Sequence, residues 1–198
     1  MCAPIPNDPA QTSMRAIAHA RPATHADAAA QLAGATLAAA VNYAVFASGI
    51  AAMEAGEAIV RGTAASTASF AGAFGMVPNP ALIGPVGALV AEIWMTGLLL
   101  FLIAAITDAA AGSVADAAAP ALIGTSVAVL IGTFGGVTGC GMNPARDLGP
   151  RLVTLATGWG GAALTSWWVY TLGPLIGAPL GMYAYRQLLM VPPAKKAA

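Results

Sequence analysis

Gly139-Cys140-Gly141-Met142-Asn143-Pro144-Ala145-Arg146-Asp147-Leu148-Gly149-Pro150-Arg151 is the stretch from which the rest of the chain is best read. Asn143 is an N-cap residue, and Pro144 fits the first position of a helix, where its missing N–H costs nothing. Gly139 and Gly141 ahead of it permit an irregular backbone. The helix that starts at Pro144 is expected to run to about Thr157, and is too short and too charged to cross a membrane. An isolated Asn-Pro start is an ordinary helix cap. This one lies between apolar segments, and its position changes its meaning.

Working outward, four segments (28–51, 85–107, 119–137 and 166–190) are long enough and mostly apolar enough to cross a bilayer as helix. The first is rich in alanine rather than leucine. The 138–165 connection between the last two therefore carries a glycine-rich backbone and a half-helix, and such backbone enters a membrane only where protein or a watery cavity surrounds it. A half-helix N-terminus near the midplane presents N–H groups and positive dipole charge. There the Asn143 amide can donate to a hydroxyl oxygen, and the carbonyls of Thr138, Gly139 and Cys140 can accept from the same solute. The guanidinium of Arg146 and the positive helix end repel cations and protonated water chains. The set suits a neutral, hydroxyl-bearing permeant.

Composition agrees with a bilayer as solvent. The chain is 58% hydrophobic and 8% charged, with a mean hydropathy of +0.75, against about 25% charged residues in a soluble domain. The formal net charge is zero, and no basic tract points to nucleic acid. Cys2 and Cys140 stand far apart and form no disulfide framework or metal spacing. No Ser/His/Asp set, phosphate loop or paired carboxylates suggest an enzyme, and no cofactor is implied. His19, His25 and Asp27 lie in 1–27, which is expected to be an irregular lead-in without a signal-peptide core, and a solvated role suits them better than a metal site.

Arg15 and Arg21 precede the first span, and Arg186, Lys195 and Lys196 end or follow the last. Four spans place both termini on one side, which the positive-inside rule makes cytoplasmic, with 191–198 as a tail. Arg61 and Arg151 then fall towards the outside, and the 108–118 loop has no Lys or Arg. Trp167 and Trp168 fit either an interfacial belt or packing against neighbouring helices. The 52–84 connection, with Pro78-Asn79-Pro80, is too long for a tight turn and is expected to be partly structured. Gly173, Gly177 and Gly181 on the fourth span, and Gly132 and Gly136 on the third, mark faces where helices can approach closely.

The motif and its surroundings resemble the glycerol facilitators of the major intrinsic protein (aquaporin) family. The resemblance runs from about Gln31 to Arg186: Ala30-Gln31-Leu32-Ala33-Gly34-Ala35, the Pro-Asn-Pro of the external loop, the 91–100 segment of the second span, the half-helix motif followed by Ala156-Thr157-Gly158-Trp159, and Gly173-Pro174-Leu175-Ile176-Gly177-Ala178. It implies an all-α membrane protein, a right-handed aquaporin-like bundle with about four transmembrane helices and one pore-loop half-helix, within a domain spanning 28–190. It further implies a multi-pass cell-membrane protein, assembled as a homotetramer, that passes glycerol, water and other small neutral solutes.

Residue by residue, Asn143 of the Asn143-Pro144-Ala145 motif matches the family's pore asparagine, Arg146 its filter arginine, and Asp147 a glycerol-branch residue. Glu92 matches a buried glutamate that hydrogen-bonds the pore-loop backbone, although a carboxyl kept neutral or paired for structural reasons would read the same way. Cys140 stands where an aromatic is common, and either widens the filter or merely packs. The family has two inverted repeats, each with an Asn-Pro-Ala half-helix, whereas 1–198 holds one. The chain is therefore expected to be a truncated channel, or else a non-conducting fragment or a subunit needing a partner chain.

Overall fold

The computed structural model describes residues 25–108 and 117–189. Residues 1–24, 109–116 and 190–198 lie outside it, and with them Cys2, His19, the N-terminal arginines, Lys195 and Lys196 and the expected tail. Among the described residues the chain is helical: α1 (His25–Gly56), α2 (Pro85–Thr107), α3 (Ala119–Thr138), α4 (Pro144–Thr154) and α5 (Trp167–Leu188). Extended structure among these residues is limited to an isolated bridge between Ala71 and Gly75.

The lead-in assigned to 1–27 is shorter than expected at its C-terminal end. His25, Ala26 and Asp27 already form the first turn of α1, where an acidic residue complements the helix dipole. Helices α1, α2 and α3 are long and apolar enough to cross a bilayer. Helix α5 has 22 residues, about 33 Å of helix, which matches a hydrocarbon core of about 30 Å. Its tryptophans, tyrosines, Pro174 and Pro179 make it less apolar than the other three. Large apolar side chains point outward throughout: Leu37, Val86 and Leu188 are 68%, 72% and 73% exposed. Such a surface is stable against lipid or against further protein rather than against water.

Helix α5 lies on α2 along its glycine face. A Cβ on Gly173 would come within 2.6 Å of Glu92 Cβ, and a Cβ on Gly177 or Gly181 would strike the carbonyl oxygen of Ile93 or Gly97. Backbone meets backbone here, as expected of small residues in lipid. Gly132 and Gly136 differ: a Cβ on either would meet open space, so no close helix contact is built on them. Helix α4 seats on α1 at Gly149, where an added Cβ would lie 2.7 Å from Ala35 Cβ. Trp167 is exposed, whereas Trp168 packs against the buried cluster of Met76, Ala88, Val169 and Tyr170.

The 52–84 connection begins as the end of α1, forms a 3₁₀ turn over Ala64–Ser69, and returns to α2 through Pro78-Asn79-Pro80. Asn79 anchors it on the end of α3, its N–H donating to Val137 O (2.9 Å) and its Nδ2 to Gly136 O (3.3 Å). A second anchor is Arg61. Its Nε donates to both Glu54 oxygens (2.9 and 2.8 Å), its guanidinium also reaches Tyr43 Oη (2.8 Å) and Thr157 O (3.0 Å), and it stacks 3.9 Å over the Trp159 ring. The hydrogen bonds to Glu54 raise the Arg61 pKa above its ordinary value. Helix α4 stops at Thr154 rather than near Thr157, because a wide turn over Leu155–Trp159 follows, with Gly158 in a left-handed conformation (φ 106°).

Candidate functional site

Gly139, Cys140 and Met142 all have positive φ (84°, 59° and 50°). Two of the three are not glycine, and such residues persist in the left-handed region only when their surroundings hold them there. Glu92, fully buried on α2, does the holding. Its Oε1 accepts from Thr138 Oγ1 (2.8 Å) and Gly141 N (3.0 Å), and its Oε2 from Met142 N (2.9 Å). Thr138 Oγ1 accepts in turn from Cys140 N (3.1 Å), and Tyr170 Oη on α5 donates to Thr138 O (2.6 Å).

Asn143 caps α4 with its own side chain: Oδ1 accepts from Ala145 N (2.9 Å) and Arg146 N (3.3 Å), while its carbonyl accepts from Asp147 N (3.3 Å). Pro144 has no N–H to offer. The first donors of the half-helix are thus satisfied by the cap and are not presented to a solute, contrary to the expectation from an open helix end. What remains is Asn143 Nδ2, which has no partner among the described residues and whose orientation is fixed by the two bonds to Oδ1.

Beyond the cap, Arg146 donates to Gly72 O (3.1 Å) and Phe74 O (3.5 Å) of the long connection. Asp147, fully buried, accepts from Met76 N (2.7 Å) and from Arg151 Nε (2.6 Å). Arg151 is 1% exposed. It also donates to Ala163 O (2.5 Å), Thr165 O (2.9 Å) and Met76 O, with its guanidinium 5.9 Å from the Tyr170 ring centroid. Arg151 is therefore an internal clamp and does not belong with the loop charges that orient the chain. Two turns of α4 hold residues 72–76 in place, and 72–76 in turn accept the guanidinium of Arg146.

A cleft of about 470 Å³ opens between α1 and α4, lined by Gln31, Asn42, Ala73, Asn143, Ala145 and Arg146 among others. A neighbouring cleft of about 520 Å³, between α1 and residues 68–74, shares Asn42 and Ala73 with it. Of the residues singled out in the sequence, Asn143, Ala145 and Arg146 meet in the first cleft, with Pro144 starting the helix beneath them. Glu92 and Asp147 stand behind, holding the loop and residue 76.

Thr138 and Cys140 do not reach the cleft. Thr138 is fully buried and its carbonyl already accepts from Tyr170. The Cys140 side chain packs with Met95 and Leu130, its Sγ 3.6 Å from Met95 Sδ. Gly139 lies under Met76, where an added Cβ would be 2.5 Å from Sδ. Gln31 and Asn42 were missed. Their signal in the sequence is a pair of carboxamides inside an alanine-rich apolar run.

A helical bundle with an apolar exterior, an internal half-helix, an asparagine cap and a clamped arginine on a cleft defines an integral membrane protein of the pore-loop kind. Residues 10–185 match the family described as Major intrinsic protein, and the chain belongs to that family. It is 39% identical over 165 residues to the glycerol uptake facilitator protein of Escherichia coli (strain K12), a match covering 80% of this chain and 58% of that protein. The glycerol uptake facilitator protein of Pseudomonas aeruginosa is 41% identical over 167 residues, covering 81% of this chain and 59% of that one. Aquaporin-9 of Mus musculus is 36% identical over 160 residues, with 79% and 52% covered. In fold, the chain resembles the aquaglyceroporin from Plasmodium falciparum, with a TM-score of 0.62 and 24% identity over 79% of this chain and 60% of that one. The match thus spans less than two thirds of the length of each of these proteins.

Proposed function

We propose that the α1–α4 cleft is one wall of a passage for glycerol, water and other small uncharged solutes, crossed passively and without chemistry. The observation that carries this reading is the meeting of Asn143 and Arg146 in one polar cleft at the start of a half-helix. Asn143 Nδ2 offers a donor to a hydroxyl oxygen, and the Arg146 guanidinium opposes cations. The glycerol facilitators to which the chain is similar support the choice of solute. A multi-pass arrangement with both termini cytoplasmic, and assembly as a homotetramer, belong to the same proposal. Thiol labelling of a cysteine placed at Ala198, in intact and in opened cells, tests the first. The mass of the purified complex tests the second.

A second reading, a subunit whose passage is closed by further residues or by another chain, is favoured by the exposure of Gln31, Asn42 and Asn143. An open polar wall against hydrocarbon is costly. Osmotic swelling of lipid vesicles in glycerol separates the two. Residues 1–198 alone are expected to swell vesicles no faster than protein-free controls, and a version joined to a second Asn-Pro-Ala repeat is expected to swell them fast, with the rate altered by Arg146→Ala. Fast, Arg146-dependent swelling by 1–198 alone would show that this wall closes its own passage. A joined version that swells no faster than controls would sink the transport reading.

A further inference from the structure

We propose that Asn42 is a solute-binding residue of the passage, supplying a side-chain hydrogen-bond acceptor opposite the half-helix, whose own side chains offer the cleft only donors; this rests on the transport reading above. Asn42 stands near the middle of α1 (His25–Gly56), a helix long and apolar enough to span the bilayer. Its carboxamide makes no hydrogen bond to any described residue, and it is exposed. An unpaired amide facing hydrocarbon at that depth is costly, so a polar residue there belongs on a watery or protein-lined face. Asn42 is on such a face: it lines both the cleft that holds Asn143 and Arg146 and the adjoining one. It marks the junction a solute would cross between them.

Counting donors and acceptors points the same way. Every hydroxyl of a polyol both donates and accepts. On the α4 side, Asn143 Oδ1 is taken by two backbone N–H groups and Thr138 O by Tyr170, so the side-chain groups left to the cleft are Asn143 Nδ2 and the Arg146 guanidinium, both donors only. Neither Gly139 nor Cys140 lines the cleft. Asn42 Oδ1, on the facing helix, is an unfilled acceptor, and its Nδ2 adds two further donors. A solute hydroxyl between Asn42 and Asn143 would find an acceptor on one wall and a donor on the other, a pairing that an apolar residue at position 42 would remove.

Thiol labelling in reconstituted vesicles tests this without requiring transport. In a Cys2→Ser/Cys140→Ala background, Asn42→Cys is expected to react with a charged, water-soluble methanethiosulfonate reagent. Leu37→Cys, 68% exposed on the same helix and outside the cleft lining, is expected to react far more slowly. Equal, slow reaction at both positions overturns the proposal, and fast reaction at Ala145→Cys on the opposite wall would then confine the failure to Asn42.

A second arm labels Ala38→Cys, one turn from Asn42 on the cleft, with and without glycerol, using sucrose as the viscosity control. Glycerol is expected to slow this reaction several-fold when Asn42 is present, and to lose most of that effect in Asn42→Leu but not in Asn42→Gln. Protection that survives Asn42→Leu overturns the role of Asn42 alone. No protection even with Asn42 present overturns the glycerol reading and this inference with it.

Discussion

Replacing Glu92 by glutamine changes one oxygen to an amide, and the structure says what that does to the loop. Three donors converge on the two carboxylate oxygens: Thr138 Oγ1 and Gly141 N on Oε1, and Met142 N on Oε2. A glutamine can accept two of them on its single oxygen, but its NH₂ must then face the third donor. One buried N–H and one buried NH₂ lose their partners, at about 1–3 kcal/mol each. Glu92→Gln should therefore destabilise the protein by about 2–6 kcal/mol, and Glu92→Ala by no less, since it frees all three donors. The loss should appear first in the loop, because Gly139, Cys140 and Met142 hold left-handed conformations only while so restrained. Cys140, 4% exposed, reports on it directly. In a Cys2→Ser background its reaction with a water-soluble disulfide reagent should be slow, and should accelerate by an order of magnitude or more in Glu92→Gln, roughly what a 1.4 kcal/mol easier local opening produces. Unfolding in mixed detergent gives the global figure. A glutamine variant with unchanged Cys140 reactivity and stability within about 0.5 kcal/mol would refute the restraint.

Three further perturbations follow from the packing. Asp147→Asn leaves the Arg151 guanidinium buried without a counter-charge, a loss of about 3 kcal/mol because three carbonyls still hold it; unfolding in detergent should show it, and Asp147→Asn/Arg151→Met should recover part of it. Gly181→Ala drives a methyl into the Gly97 carbonyl and should cost more than about 2 kcal/mol by the same assay, whereas Gly132→Ala, which meets open space, should be neutral or stabilising by about 0.5–1 kcal/mol. Thr96 Oγ1 is buried with no partner among the described residues, so Thr96→Val, which removes the hydroxyl and keeps the shape, should raise the melting temperature.

The sequence exposed what depends on local chemistry and hid what depends on long-range contact. The Asn143-Pro144 start, the glycine face of α5 and the α2 and α3 segments each carry a signal within a few residues, and each appears in the structure where the spacing put it. Arg151 reads as a loop charge because nothing nearby says otherwise; its partners Met76, Ala163 and Thr165 are brought to it only by folding. The Thr138 carbonyl looked available because Tyr170, which occupies it, lies 32 residues away. Gly132 and Gly136 show the reverse: spacing alone permits a close helix contact, but no neighbour takes it up among the described residues.

Those distant contacts also bear on the proposed passage. In lipid every polar atom must find a partner, reach water or carry a cost. Behind the loop the side-chain matching is dense: Glu92, Thr138, Tyr170, Asp147, Arg151 and the backbone N–H groups of Cys140, Gly141 and Met142 bond largely to one another, with only the Thr96 hydroxyl left over among the buried side-chain atoms described. On the cleft side the matching stops, and Asn143 Nδ2 and the carboxamides of Gln31 and Asn42 have no protein partner among the described residues. A fold that satisfies its buried polar side chains so thoroughly on one side of α4 and leaves three amides open on the other has separated support from contact. The first set fixes where Asn143 and Arg146 stand. The second can bond only to what comes to lie in the cleft: water, a solute carrying hydroxyl groups, or polar groups of further residues or of another chain.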